Sequence, residues 1–130
     1  MENLYTIKEM YHAVASGDFP AFLNGMDENI EWNQAENFPY ADGNPYIGPG
    51  AVAGGVFDRI AADWDYWTLS DLEYHESNDK VFVTGRYNAK NKRTEKIIKA
   101  QFTHIWTLKN SKATLFQQYA DTKQVSDAMN

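Results

Sequence analysis

At Trp64 the chain changes its hydrophobic period. Before that residue, apolar side chains recur at three- and four-residue spacing; after it, they alternate. A period of two marks strands with one buried face. Segments 66–76, 80–90, 96–109 and 112–121 all alternate. They are parted by Ser77-Asn78-Asp79, by Asn88 to Arg93 and by Asn110-Ser111. Connections this short join antiparallel neighbours, so the second half predicts a four-stranded meander. Segment 96–109 is the clearest of the four. Ile98, Ala100, Phe102, His104, Trp106 and Leu108 share one face, while Lys99, Gln101, Thr103 and Thr107 share the other.

The first half reads as helices around one strand. Thr6, with Glu9 three residues on, fits a capping box, and Ile7, Met10, Tyr11 and Val14 form a helical stripe that Ser16-Gly17 ends. Asp18 fits the cap of a second helix bearing Phe19, Phe22, Leu23 and Met26. Ile30 to Gln34 predicts a short strand. Glu36 to Gly50, with Pro39, Pro45 and Pro49, predicts an irregular loop. Pro49 suits a first helical position, followed by the stripe Val52, Val56, Phe57 and Ile60 and an end near Ala62-Asp63. Residues 122–129 suggest a closing helical turn. The order predicts an α+β fold, with helices against one face of a curved sheet. At 130 residues, without internal repeats, it predicts one domain over 1–130 that buries roughly two-thirds of its unfolded surface.

Composition narrows the function classes. There is no cysteine, so disulfides, thiolate nucleophiles and cysteine zinc sites are excluded. A net charge of −6 opposes binding to nucleic acid or to an anionic membrane. No apolar run nears the roughly 20 residues of a membrane span, and the first residues carry no secretory pattern, so a cytoplasmic location is expected. His12, His75 and His104 have no metal-ligand spacing. Gly48 to Gly54 lacks the Gly-Lys-Ser/Thr ending of a phosphate loop, and the basic residues from Lys90 to Lys99 suit a solvated hairpin turn. Aromatic residues make up 15% of the chain, which implies either a heavy core or a ring-lined cavity.

The loop Phe38-Pro39-Tyr40 with Tyr46-Ile47-Gly48-Pro49, the helix Val52 to Ile60, and Val81 to Tyr87 form a recognisable series. Phe102-Thr103-His104-Ile105-Trp106 and Phe116 to Thr122 complete it. Together they resemble the SnoaL-like group of the NTF2-like (cystatin-like) superfamily, which includes polyketide cyclases and proteins related to ketosteroid isomerase. The resemblance implies a cone in which a strongly bent antiparallel sheet wraps three helices and leaves a deep apolar pocket. It implies a homodimer, no metal and no organic cofactor. It also implies that Asp121 is a general acid/base and that His104 supports it. Fold does not dictate activity in such a superfamily.

The residues give their own reading beside this. A carboxyl group in an apolar cavity loses hydration, its pKa rises, and it becomes fit to exchange protons near neutrality. Asp121 also ends a strand before a helical segment, where it would serve as a cap. On a regular strand Asp121 shares a face with Tyr119 and Gln117, opposite Phe116 and Gln118, and only one set can line a cavity. Both readings stand at this point, as do a catalytic and a core role for His104. Trp32, Glu36, Tyr40 and Tyr46 are placed at the pocket mouth by the loop that carries them. Phe57, Trp64, Tyr87, Phe102, Trp106, Gln118 and Tyr119 complete the expected lining. The expected function is binding of a small, largely apolar molecule, with cofactor-free isomerase or cyclase chemistry at Asp121. The alternatives are a non-catalytic carrier or sensor, and a dimerisation module with a vestigial pocket.

Overall fold

The structure, a computed structural model, describes residues 2–130. Helix α1 (Glu2–Ala15) buries Ile7, Met10 and Tyr11. It starts a turn earlier than the capping box predicts, so Thr6 lies inside it. Its end is a Schellman closure: Gly17, at φ 82°, donates to the Val14 carbonyl and Asp18 to that of Ala13. The Asp18 side chain then accepts from Ala21 N at 3.2 Å and starts α2 (Phe19–Asn24). Strand β1 (Met26–Asn33) is longer than its apolar core suggests. A loop with one 3-10 turn (Ala41–Gly43) leads to the two-residue β2 (Tyr46–Ile47).

The next helix is continuous but not uniform. α3 (Pro49–Val52) passes through a π-helical stretch (Ala53–Phe57) into α4 (Asp58–Asp63). Four strands follow: β3 (Trp64–Ser77), β4 (Lys80–Asn91), β5 (Ile97–Lys109) and β6 (Lys112–Ala120). α5 (Thr122–Ala128) closes the fold.

The α+β class and the curved antiparallel meander stand as the sequence predicts. The sheet order is β2-β1-β6-β5-β4-β3. What the period could not reveal is that β1 pairs parallel to β6, with Trp32 opposite Phe116. Parallel neighbours require a long crossover, so no local turn signals them. The sheet bends at register shifts between Ser70 and Glu73 on β3 and between Thr107 and Leu108 on β5. Opposite the β3 shift, a Cβ on Gly85 would lie 2.8 Å from the Ser70 carbonyl and from the Phe102 ring, so only glycine fits that bend. All six apolar-face residues of β5 are buried, and the helices pack on the face they form. Among the described residues no helix is long and apolar enough to cross a membrane.

Candidate functional site

Between the helices and the concave face lies a cavity of about 130 Å³. α1 contributes Tyr11 and Val14, the π-helical stretch Val56 and Phe57, and α4 Ile60. The sheet contributes Trp32, Trp67, Tyr87, His104, Trp106 and Gln118. Among the described residues no Lys, Arg, Asp or Glu lines it.

Five of its polar groups form one connected chain, while Trp32 Nε1 donates separately to Gln34 Oε1 at 2.5 Å. His104 projects from β5 between two tyrosines: the Tyr11 hydroxyl lies 2.6 Å from Nδ1 and the Tyr87 hydroxyl 2.6 Å from Nε2. Trp106 Nε1 donates to the Tyr11 hydroxyl at 2.8 Å, and Gln118 Nε2 donates to that of Tyr87 at 2.8 Å. Gln118 faces inward because it pairs with His104 across the β5–β6 ladder. Its amide is fixed by Ala35 N, which donates to Oε1 at 3.0 Å. Among the described residues, every fully buried side-chain nitrogen and oxygen has at least one hydrogen-bond partner.

Burial sets the protonation states. It pushes the His104 imidazole down to about 3, because the cation cannot be hydrated there. Burial raises the Tyr11 phenol well above its ordinary range, with the Trp106 hydrogen bond opposing the shift. It raises Tyr87 as well, opposed by the bond from Gln118. All three groups are neutral at ordinary pH. Rings hold them in place: Phe102 stacks on His104 with centroids 4.1 Å apart and on Tyr87 at 4.5 Å.

Asp121 is not part of this arrangement. The ladder settles the strand's parity, since Phe116 and Gln118 face the cavity and Tyr119 faces out, 55% exposed. Asp121 follows the outward set and is exposed. Its carboxylate caps α5, accepting from Gln124 N at 3.1 Å and from Gln124 Nε2 at 3.1 Å. The pocket-acid reading therefore gives way to the cap. Asp121→Ala is expected to cost about 1 kcal/mol of stability and to leave ligand affinity unchanged, as urea unfolding and a binding titration would show.

Trp32, Phe57, Tyr87, His104, Trp106 and Gln118 reach the cavity as their positions suggest. Glu36 is an exposed loop charge. Phe102 stands behind His104 and does not line the cavity. Tyr40, Tyr46 and Trp64 are buried in an adjoining knot. There the Tyr40 hydroxyl donates to Asp63 Oδ2 at 2.6 Å and accepts from Trp64 Nε1 at 3.1 Å. Tyr46 donates to the Tyr40 carbonyl at 2.7 Å, and Arg59 clasps Asp42 at 2.7 and 3.0 Å. This knot fastens the loop to α4, and the loop in turn presents Phe38 to the cavity. Sequence reasoning did not assign Tyr11, Gln34, Phe38 or Trp67 to the pocket. Tyr11 had one signal, a hydroxyl-bearing ring inside an otherwise aliphatic stripe.

Comparison with known proteins gives a consistent picture. A model of the SnoaL-like domain matches residues 7–116. No curated protein matches the chain. An NTF2-like protein from Burkholderia thailandensis superposes with a TM-score of 0.93 at 29% identity, covering 98% of this chain and 97% of that one. TerC, co-crystallised with polyporic acid, superposes with a TM-score of 0.88 at 22% identity, covering 99% and 98%. A polyketide-cyclase candidate from Pseudomonas putida gives 0.83 at 12% identity, covering 98% of each. The last two, at such low identity, speak to the fold alone. With most of its length matched by the family's own pattern, the chain belongs to the SnoaL-like domain family.

Proposed function

We propose that this protein binds one small, largely apolar molecule in its ring-lined cavity, as a carrier or sensor. The observation that carries the reading is the lining itself: aromatic walls around a neutral, hydrogen-bonded Tyr–His–Tyr relay. The volume suits a single-ring compound, since a dry cavity of roughly 150 Å³ accepts benzene. Proton abstraction by a pocket carboxylate has no residue to perform it, because Asp121 caps α5 and no other acid lines the space. Both His104 nitrogens are engaged by tyrosines, so the imidazole is not a free base either. That TerC was crystallised with a small molecule supports a binding role for this architecture.

The test uses the tryptophans of the wall. Trp32, Trp67 and Trp106 all border the cavity, so α-methylstyrene is expected to quench their fluorescence saturably. Ile60→Trp, which fills the space from the half-buried side of α4, is expected to weaken binding at least tenfold while the circular dichroism stays unchanged. Quenching that rises linearly without saturation, or that ignores the filled cavity, would refute the binding role.

A further inference from the structure

The hydrogens of the relay can be counted. A neutral imidazole has one N–H and one lone pair, so one tyrosine donates to His104 and the other accepts from it. Tyr11 already accepts from Trp106, and Tyr87 already accepts from Gln118. Whichever tyrosine accepts from His104 therefore has both oxygen lone pairs filled and its own O–H hydrogen left over. The tautomer decides which tyrosine that is; it does not change the number. Among the described residues neither hydroxyl has another acceptor: Gln118 Oε1 takes Ala35 N, and Gln34 Oε1 takes Trp32 Nε1 at 2.5 Å.

Resting on the reading above that the cavity holds a small apolar molecule, we propose that its occupant carries a neutral carbonyl oxygen. That oxygen accepts the one spare tyrosine hydrogen, and the tautomer of His104 selects Tyr11 or Tyr87 as the donor. A spare donor left unmet in so apolar a space is unfavourable, and a carbonyl oxygen removes that penalty. A carboxylate would also accept the hydrogen, but it would be buried with no cation in the lining. An ammonium would meet no anion and would bring only donors. The switch gives the site two positions for one donor, so a ring compound can present its carbonyl to either side of His104.

The probes are acetophenone and α-methylstyrene, which share a shape and differ only in C=O against C=CH2. After allowance for their different transfer free energies from water to alkane, acetophenone is expected to bind about tenfold more tightly, the worth of one hydrogen bond. Its bound carbonyl stretch, read by infrared difference spectroscopy, is expected below its frequency in hexane. Tyr11→Phe and Tyr87→Phe should each keep that downshift, because the remaining tyrosine becomes the donor. The double variant should move the band to a different frequency, because only the N–H donors of His104, Trp106 and Gln118, freed of their tyrosine acceptors, remain to meet the carbonyl. A band left at the wild-type frequency by the double variant, or a downshift abolished by either single change, overturns the proposal. So does an unshifted carbonyl in the wild type, while saturable binding in that case leaves the binding role intact. Failure of both probes to bind removes the binding role and this inference with it. If the double variant does not fold, the wild type and the two single variants still decide the outcome.

Discussion

Lowering the pH from 6.5 to 4.5 is expected to cost the folded state about 2 kcal/mol through His104 alone. The sign follows from the direction of the shift. Burial depresses the folded-state pKa from an ordinary 6.5 to about 3. Below pH 6.5 the unfolded chain takes up a proton that the native imidazole refuses, so protonation favours unfolding. The stabilising effect of the neutral ring is fully present above pH 6.5 and is lost progressively as the pH falls towards 3. Nothing around the ring offsets this. Its neighbours are Tyr11, Tyr87, Phe102, Phe116 and Gln118, and no carboxylate lines the space to stabilise an imidazolium. Urea unfolding at the two pH values, for wild type and for His104→Gln, isolates the effect. The variant starts from a lower stability but should show a flatter pH slope. Contributions from carboxylates such as Asp42, which the Arg59 guanidinium holds below its usual range, are common to both proteins and cancel. Equal slopes would mean that the native ring is already solvated.

How far the sequence carried the structure depends on the range of the interaction concerned. β5 was readable in full because its inward set runs unbroken from Ile98 to Leu108, and each member is buried. Alternation is a local property, and local properties survive in one dimension. The Asp18 cap and Pro49 at a first helical position were readable for the same reason. β1 was harder. Its inner residues Ile30 and Trp32 alternate, but its place beside β6 is decided by residues more than 80 positions away.

The site divides in the same way. Whether Asp121 or Gln118 faces the cavity turns on parity, and parity was fixed only by the β5–β6 register that sets Gln118 opposite His104. Tyr11 meets His104 across 93 positions of sequence, and Gln118 meets Tyr87 across 31. No spacing rule encodes either contact. The aromatic loop showed a third kind of limit. Tyr40, Tyr46 and Trp64 are expected at the cavity, yet they lie outside its lining, and their hydroxyls and indole N–H find partners in the knot around Asp63 and Arg59. A ring count states that area must be hidden; it does not state where the polar tips will be satisfied.

The wall residue with most at stake is Trp106. It is 1% exposed and packs against Phe116, Trp32, Tyr11 and Phe22 at centroid distances of 4.6, 5.6, 6.1 and 6.4 Å. Trp106→Ala is expected to cost about 3–5 kcal/mol, from the lost burial and from the void it leaves. Such a void persists where the surroundings cannot collapse. β5 is held on both sides by ladders to β4 and β6, so the backbone beneath residue 106 has little room to move inward. The loss of the indole donor also deprives Tyr11 of one partner, adding about 1 kcal/mol. Because Trp106 borders the existing cavity, the vacated space joins it, and the variant should accept a replacement ring. Added indole is therefore expected to raise the melting temperature of Trp106→Ala well beyond any effect on the wild type, as ligand linkage requires. A loss below about 1 kcal/mol, or a variant indifferent to indole, would show that the strand had closed over the gap and that this ring does not hold the cavity open.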